Sequence, residues 1–230
     1  MLATALHDIL QRLDNAAGSA RRPPVRLLAV SKTQPATAVA ELAHDLLLVQ
    51  PERTPAFGEN YVQEALAKQS ALAGMPLEWH LIGHLQSNKA RDAAAAFDWI
   101  QTVDRMKLIV ALALHRPADR APLNVLIQVN IDDEASKHGC VPEDIDALAA
   151  AIANAPSLQL RGLMAIPAPH PDIQQRRNAF HDMKALFDDL AKRYPQVDTL
   201  SMGMSDDIEL AIEEGATMVR VGTALFGPRK

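Results

Sequence analysis

Residues 27–36 read LLAVSKTQPA, and this stretch predicts the repeating unit of the fold. Four of the first five side chains are apolar, as in a buried strand, and Pro35 then opens a helical pattern. Between them the chain presents Ser31 and Lys32. Lysine is almost never fully buried unless it is paired. We therefore expect this strand to end on a loop face, where an ammonium group can leave the packed interior.

The same order, an apolar strand followed by a helix, continues along the chain. Strands are predicted near 25–31, 54–58, 78–82, 98–102, 123–130, 158–164, 198–202 and 217–221. Helices are predicted near 35–48, 60–73, 86–96, 104–116, 142–154, 172–193 and 205–214, and an amphipathic helix precedes them near 2–17. Strands that alternate with helices form parallel sheets, and eight such units close a barrel.

We therefore predict an α/β fold, a single (β/α)8 TIM barrel domain over residues 1–230 with an extra N-terminal helix. That helix is expected to cover the gap after the last strand. An open, doubly wound sheet is the alternative, but no strand is followed by GxGxxG and no GxxxxGK[ST] occurs.

The composition excludes several classes of protein. The chain is 48% hydrophobic and 22% charged, with a net charge of −5 and 4% aromatic residues. Because it lacks a basic run and base-stacking rings, we expect no nucleic acid partner. No segment reaches the roughly 18 to 20 apolar residues of a membrane span, and Asp8 interrupts any N-terminal signal peptide. A cytoplasmic protein without membrane contact is expected, and the single cysteine, Cys140, excludes an internal disulfide.

Lys32 is the first candidate functional residue. Chemistry in TIM barrels lies where strands end, so Lys32 is expected to project from the first strand into the barrel mouth. Partial burial disfavours the charged form of an amine, and a neutral amine can form a Schiff base with a carbonyl compound. The alternative is a structural ion pair with a carboxylate such as Glu59.

The last two strands lead into the turns LSMGMSDD (200–207) and MVRVGTALFG (218–227). Backbone N–H groups at such turns, together with the hydroxyls of Ser205 and Thr223, predict an anion site; barrels often bind phosphate there. The alternative is that Ser205 simply caps a helix. An amine for an aldehyde and a cradle for a phosphate together describe pyridoxal 5′-phosphate.

The chain resembles the YggS/PROSC family of pyridoxal-phosphate-binding homeostasis proteins. The matching stretches are AVSKTQP, FGENYVQEA, WHLIGHLQSNKAR, QVNIDDEASKHGC, LRGLMAIP and LSMGMSDDIELAIEEGATMVRVGTALFG, in order from residue 29 to 227. The resemblance implies the barrel of the alanine racemase N-terminal domain, of fold type III, without the second domain of the racemases.

The resemblance also implies roles for individual residues. Lys32 corresponds to the Schiff-base lysine, and Arg220 to the arginine that faces the pyridine nitrogen. The residues that correspond to phosphate contacts are Ser205, Gly222 and Thr223, and those that line the cofactor are Asn60 and Met202.

Other candidates are expected to be structural, and we predict no metal site. His80 and His84 in HLIGH share one face but lack a third ligand cluster. The acidic stretch NIDDEASKHG (130–139) lacks the central glycine of an EF-hand loop, so calcium is not expected. Cys140 and Tyr61 are expected to be packing residues.

Two functions remain open at this stage. A racemase needs an acid–base group on each face of the cofactor, and fold-type-III racemases take the second, a tyrosine, from another domain. Nothing after LFG supplies it, which leaves Tyr61. The guanidinium of Arg220 has donors only, so it keeps the ring nitrogen unprotonated and the ring a poor electron sink.

A carrier needs only a reversible Schiff base and a phosphate cradle. We therefore predict a monomeric, non-enzymatic protein with no catalytic residue. It would hold pyridoxal phosphate on Lys32 and deliver it to apo-enzymes in pyridoxal phosphate homeostasis. A racemase-like enzyme is the alternative.

Overall fold

Eight parallel strands close into a barrel in chain order. The computed structural model describes residues 2–132 and 138–227. The strands are β1 (Arg26–Val30), β2 (Ala56–Glu59), β3 (Glu78–Leu81), β4 (Trp99–Val103), β5 (Leu123–Val129), β6 (Leu158–Ala165), β7 (Thr199–Ser201) and β8 (Met218–Val221). β1 pairs with both β2 and β8, which closes the ring. The predicted TIM barrel is confirmed, and every predicted strand boundary lies within two residues of the observed one.

The helices surround the strands. They are α1 (Leu2–Ser19), α2 (Ala36–Val49), α3 (Val62–Ala71), α4 (Ala90–Ala96), α5 (Met106–His115), α6 (Ile145–Ala153), α7 (Ile173–Arg193), α8 (Ile208–Glu213) and α9 (Thr223–Phe226). No helix in the described part of the chain combines the length and the apolar character that crossing a membrane requires.

Five helices begin two to four residues later than predicted. Short 3₁₀ helices, Ser87–Lys89 and Pro142–Asp144, precede α4 and α6, whereas the other three helices begin directly from a loop. α3, α5 and α8 start at Val62, Met106 and Ile208, because the preceding residues belong to the loops at the barrel mouth. Arg105 and Asp207 occupy the N-cap positions of α5 and α8, and neither side chain makes a capping hydrogen bond; Ser205 is therefore not the cap of α8. The carboxylate of Asp207 accepts a hydrogen bond from the N–H of Met204 at 2.5 Å, which closes the turn before α8.

The N-terminal helix lies where the sequence predicted. α1 packs against α2, α8 and α9, and its buried residues Leu6, Ile9 and Leu13 follow helical spacing. The helix after β8, α9, has only four residues, and α1 packs beside it as the sequence predicted.

Alternate strand residues face the helices and the barrel interior. Leu27 and Ala29 belong to the main hydrophobic core with the helices, whereas Leu28 packs with Ala56 and Met218 in a separate small cluster. Because side chains alternate along a strand, that second set points into the barrel. Arg220 shares this phase with Met218, so β8 aims its guanidinium at the interior below the barrel mouth.

Candidate functional site

A cavity of about 360 Å³ opens beyond the C-terminal ends of the strands. Its volume falls within the roughly 300–1,000 Å³ of small-molecule sites. The lining residues are Val30, Lys32, Asn60, Ile82, Ile166, Met204, Ser205, Asp206, Arg220, Gly222 and Thr223. Six of the seven residues predicted from the sequence are therefore brought together: Lys32, Asn60, Ser205, Arg220, Gly222 and Thr223.

Met202, the seventh, is not among the lining residues, which corrects the prediction. Its side chain is completely buried in the main core, and Met204 lines the cavity. The reason is the strand phase: Leu200 and Met202 both face the helices, while Ser201 between them faces the interior. Gly203, at φ 90°, then turns the chain so that Met204 reaches the cavity.

Lys32 reaches the cavity wall from just beyond β1, half-buried. The carboxylate of Glu59, which the sequence offered as its structural partner, forms a buried ion pair with Lys68 at 2.8 Å. Asn60 reaches the same cavity from the end of β2. Gly83 allows this, because a Cβ there would lie 2.2 Å from the carbonyl oxygen of Asn60.

Two turns, after β7 and β8, form another part of the cavity wall. Ser205 precedes α8, and Gly222 and Thr223 begin α9. A Cβ on Gly222 would lie 3.3 Å from the Cβ of Val30, so the turn packs closely against the end of β1 and sets Thr223 near Lys32.

The two acidic residues that precede α8, Asp206 and Asp207, have different surroundings. The Asp207 carboxylate binds the N–H of Met204, and burial raises its pKa. Asp206 lines the cavity. The turn is also held from α1, because Arg12 donates to the carbonyl of Ser205 at 3.2 Å and pairs with Glu209.

Arg220 forms the floor of the cavity in one fixed orientation. Its Nη1 donates to the carbonyl oxygen and to Oγ of Ser201 at 2.8 and 2.9 Å, and its Nη2 donates to the carbonyl oxygen of Ala165 at 2.8 Å. Burial lowers the pKa of this guanidinium to about 10, so it remains a cation at neutral pH. A guanidinium only donates hydrogen bonds, so any group above it must accept.

Below Arg220, a chain of buried polar side chains crosses the barrel interior. Ser201 Oγ donates to Gln101 Oε1 at 2.7 Å, and Gln101 Nε2 donates to His80 Nδ1 at 2.9 Å. His80 Nε2 then lies 2.5 Å from the carboxylate of Glu78. Burial lowers the pKa of His80, and a neutral ring with its proton on Nε2 satisfies both neighbours. These contacts were not expected from the sequence, although the polar Gln101 within the apolar strand WIQTV was a signal for them.

His84 is separated from His80 and lies at the rim. Its ring stacks on that of His138 with centroids 3.8 Å apart and an angle of 15° between planes. Asp104 is close by, and the possible ligand atoms of the three residues lie within 4.8 Å of one another. A ring nitrogen binds a metal in the plane of its ring, and two nearly parallel planes do not meet at one ion. The arrangement therefore favours the structural role expected for His84.

The remaining candidates do not enter the cavity lining. Tyr61 is exposed at the start of α3, so the packing role expected for it is wrong. Cys140 is buried, as expected for a packing residue, and burial raises the pKa of its thiol to about 12. The stretch considered for calcium, 130–139, lies partly outside the described residues, which end at 132 and resume at 138.

Comparison with known sequences gives matches over the whole chain. A family model described as the N-terminal domain of alanine racemase matches residues 5–230. A pyridoxal phosphate homeostasis protein from Pseudomonas aeruginosa is 52% identical over 230 residues, covering 99% of this chain and 96% of that protein. The pyridoxal phosphate homeostasis protein from Escherichia coli K12 is 49% identical over 233 residues, covering 99% of this chain and 97% of that protein.

Comparison with solved structures also gives matches over nearly the whole chain. PipY of Synechococcus elongatus, solved with PLP bound, is 35% identical with a TM-score of 0.81, covering 99% of this chain and 100% of that one. The structure of the same protein without PLP is 36% identical in sequence, with a TM-score of 0.85 and the same coverage of both chains. Alanine racemase from Corynebacterium glutamicum is similar in fold, with 20% identity and a TM-score of 0.66 over 99% of this chain and 62% of the racemase.

Proposed function

Because the chain belongs to the pyridoxal phosphate homeostasis proteins of the alanine racemase N-terminal domain family, we propose that it binds pyridoxal 5′-phosphate as a carrier. Lys32 holds the cofactor as a Schiff base, and the protein takes part in its homeostasis and delivery without robust catalysis. The observation that carries this proposal is the meeting of Lys32, Arg220 and the hydroxyls of Ser205 and Thr223 in one cavity.

The chemistry of these donors fits the cofactor group by group. An amine suits the aldehyde, and the hydroxyls of Ser205 and Thr223 suit a phosphate. Arg220 presents a cation without acceptor atoms, which suits an unprotonated pyridine nitrogen. Pyridoxal phosphate supplies a reactive aldehyde and an electron-accepting ring when bound.

The predicted absence of catalysis has two supports. Arg220 keeps its charge and its three hydrogen bonds to β6 and β7, so it does not deliver a proton to the ring nitrogen. Tyr61, which the sequence left as the second acid–base group of a racemase, is 64% exposed and is not among the lining residues. A missing general acid or base costs about 10²- to 10⁴-fold in rate.

The binding proposal is tested by absorbance spectroscopy of the purified protein after addition of pyridoxal phosphate. We expect a Schiff-base band that borohydride removes while the label stays on the chain. Lys32→Ala should abolish the band, whereas Lys107→Ala, which removes an exposed lysine on α5, should leave it unchanged. A full-strength band in Lys32→Ala would assign the Schiff base to another lysine.

The carrier function has a separate test. Amino acids are incubated with stoichiometric loaded protein and analysed by chiral chromatography. Turnover above roughly one per second, against a median of about 10 per second for enzymes, would favour the racemase alternative. Delivery is measured as the rate at which an apo-enzyme gains activity from the loaded protein. A monomeric state and a cytoplasmic location stay predictions from the sequence.

A further inference from the structure

Lys68 is a buried lysine outside the cavity whose ammonium group is fully engaged. Its Nζ donates to the carbonyl oxygen of Ser31 at 2.6 Å, to Glu59 Oε1 at 2.8 Å and to Glu64 Oε1 at 2.7 Å. Only 6% of Lys68 and none of Glu59 is exposed. An ammonium group has three protons, and here each has an acceptor.

These contacts converge on the two residues that flank Lys32. On one side, Ser31 donates from Oγ to Glu59 at 2.5 Å, and its carbonyl accepts from Lys68. On the other side, the N–H of Thr33 donates to Glu64 at 2.6 Å. Thr33 has φ 65°, a left-handed conformation that is unfavourable for a β-branched residue. A non-glycine residue persists there only when its surroundings hold it in place.

We infer that Lys68 is a positioning residue for Lys32. Through Glu59 and Glu64 it holds the backbone on both sides of Lys32 so that the amine projects into the cavity. The inference rests on the proposed Schiff-base role of Lys32. Lys68 itself is absent from the cavity lining, so its effect on a ligand has to pass through the loop.

Fold stability is a weaker explanation of this cluster. A buried ion pair is often no more stabilising than apolar residues of the same volume. Here one ammonium serves two carboxylates and a carbonyl, and the second carboxylate, Glu64, holds the strained Thr33. The arrangement secures the path of the chain around Lys32.

The test compares two ligands on the full chain. Pyridoxal 5′-phosphate can react with Lys32, whereas pyridoxine 5′-phosphate carries an alcohol in place of the aldehyde and reports on the cradle alone. In Lys68→Met we expect Schiff-base formation to be roughly 10- to 100-fold weaker or slower, as for a misplaced reacting group. The dissociation constant of pyridoxine 5′-phosphate should stay within about twofold of the wild-type value, because Lys68 does not line the cavity and the substitution removes no hydrogen bond to this charged ligand.

Lys184→Met is the matched control, because it removes another helical i,i+4 ion pair, with Asp188 on α7. It should change neither Schiff-base formation with pyridoxal phosphate nor the dissociation constant of pyridoxine 5′-phosphate. In a Lys32→Ala background, Lys68→Met should cause no further loss of pyridoxal phosphate binding, because the group it positions is gone. If Lys68→Met does not fold, Glu64→Gln replaces it, because the Glu64 side chain is 29% exposed and its substitution disturbs the core less. This variant should also weaken Schiff-base formation but not the binding of pyridoxine 5′-phosphate, by a smaller factor.

The outcomes separate the two proposals. An equal loss for both ligands, or no loss for either, overturns the positioning role. A further loss in the Lys32→Ala background also overturns it. A wild-type protein that shows no Schiff-base band refutes the proposed function itself, whereas a normal wild-type band with an unchanged Lys68→Met variant refutes only this inference.

Discussion

Ser205 and Thr223 present hydroxyl groups to one cavity from two different turns, and each turn is anchored by a different part of the fold. The Ser205 turn is tied to α1 by Arg12, while the Thr223 turn packs on Val30 through Gly222. Both residues were expected from the sequence as parts of a phosphate cradle. The two hydroxyls therefore reach the cavity without relying on one shared loop.

Thr223→Ala should weaken binding of pyridoxal phosphate while leaving the fold intact, because Thr223 is exposed in the apo-protein. A hydrogen bond to a charged group contributes about 1.5–3 kcal/mol, which corresponds to roughly a tenfold to hundredfold loss of affinity. The measurement is a titration of the apo-protein. Ser70→Ala, at an exposed hydroxyl on α3, is the control and should have no effect. An unchanged dissociation constant in Thr223→Ala would remove it from the cradle.

Among the elements, the turn between β7 and α8 shows where sequence reasoning succeeds and where it stops. A short apolar run predicted β7 and the helical pattern after it predicted α8, but neither showed that Met202 faces the helices. The entry of Met204 into the cavity in its place depends on Gly203, whose φ of 90° and close packing on α8 only the structure shows. The start signal at Ser205 likewise could not reveal that Asp207 closes the turn through its side chain.

Gly203→Ala should destabilise the protein through two separate effects. A residue held at φ 90° costs about 1–3 kcal/mol, and the new Cβ would lie 2.4 Å from the Cβ of Ala211. Gly74→Ala is the matched control, because Gly74 has φ 93° and a Cβ added there would meet nothing within 4 Å. Urea denaturation of both variants should show a larger loss for Gly203→Ala. Equal losses would mean that α8 moves aside without cost.

Over the whole molecule, the barrel was predictable because eight strands repeat one pattern, and a parallel sheet brings their ends together. Five strand-end or loop residues beyond Lys32 reached the cavity for that reason: Asn60, Ser205, Arg220, Gly222 and Thr223. For the polar chain from Arg220 to Glu78, the sequence offered only the polar Gln101 within an apolar strand, and it did not show which residues that side chain would contact. The members of this polar chain come from four strands, and only barrel closure brings them together.

This interior chain should make stability depend on pH through His80. Burial lowers the pKa of His80 in the folded protein, with Glu78 and Asp98 opposing the shift and Arg26 adding to it. Between the lowered value and the unfolded value near 6.5, the unfolded chain binds a proton that the folded chain does not. The stability that the neutral His80 ring contributes is therefore fully present above about pH 6.5, and this contribution is lost as the pH falls below that value.

His80→Gln tests this, because an amide can still donate to Glu78 and accept from Gln101 but does not titrate. From about pH 6.5 to 5, the free energy of unfolding of the wild type should fall more steeply than that of His80→Gln. The difference is at most about 1.4 kcal/mol per pH unit, the contribution of one proton. The carboxyl of Glu59, whose pKa burial raises, acts in the opposite direction, but it is common to both proteins and cancels in the comparison. His7→Gln, at an exposed histidine on α1, should keep the wild-type slope. Parallel curves for the wild type and His80→Gln, measured by urea denaturation at each pH, would show that the buried ring does not hold the interior chain in its neutral form.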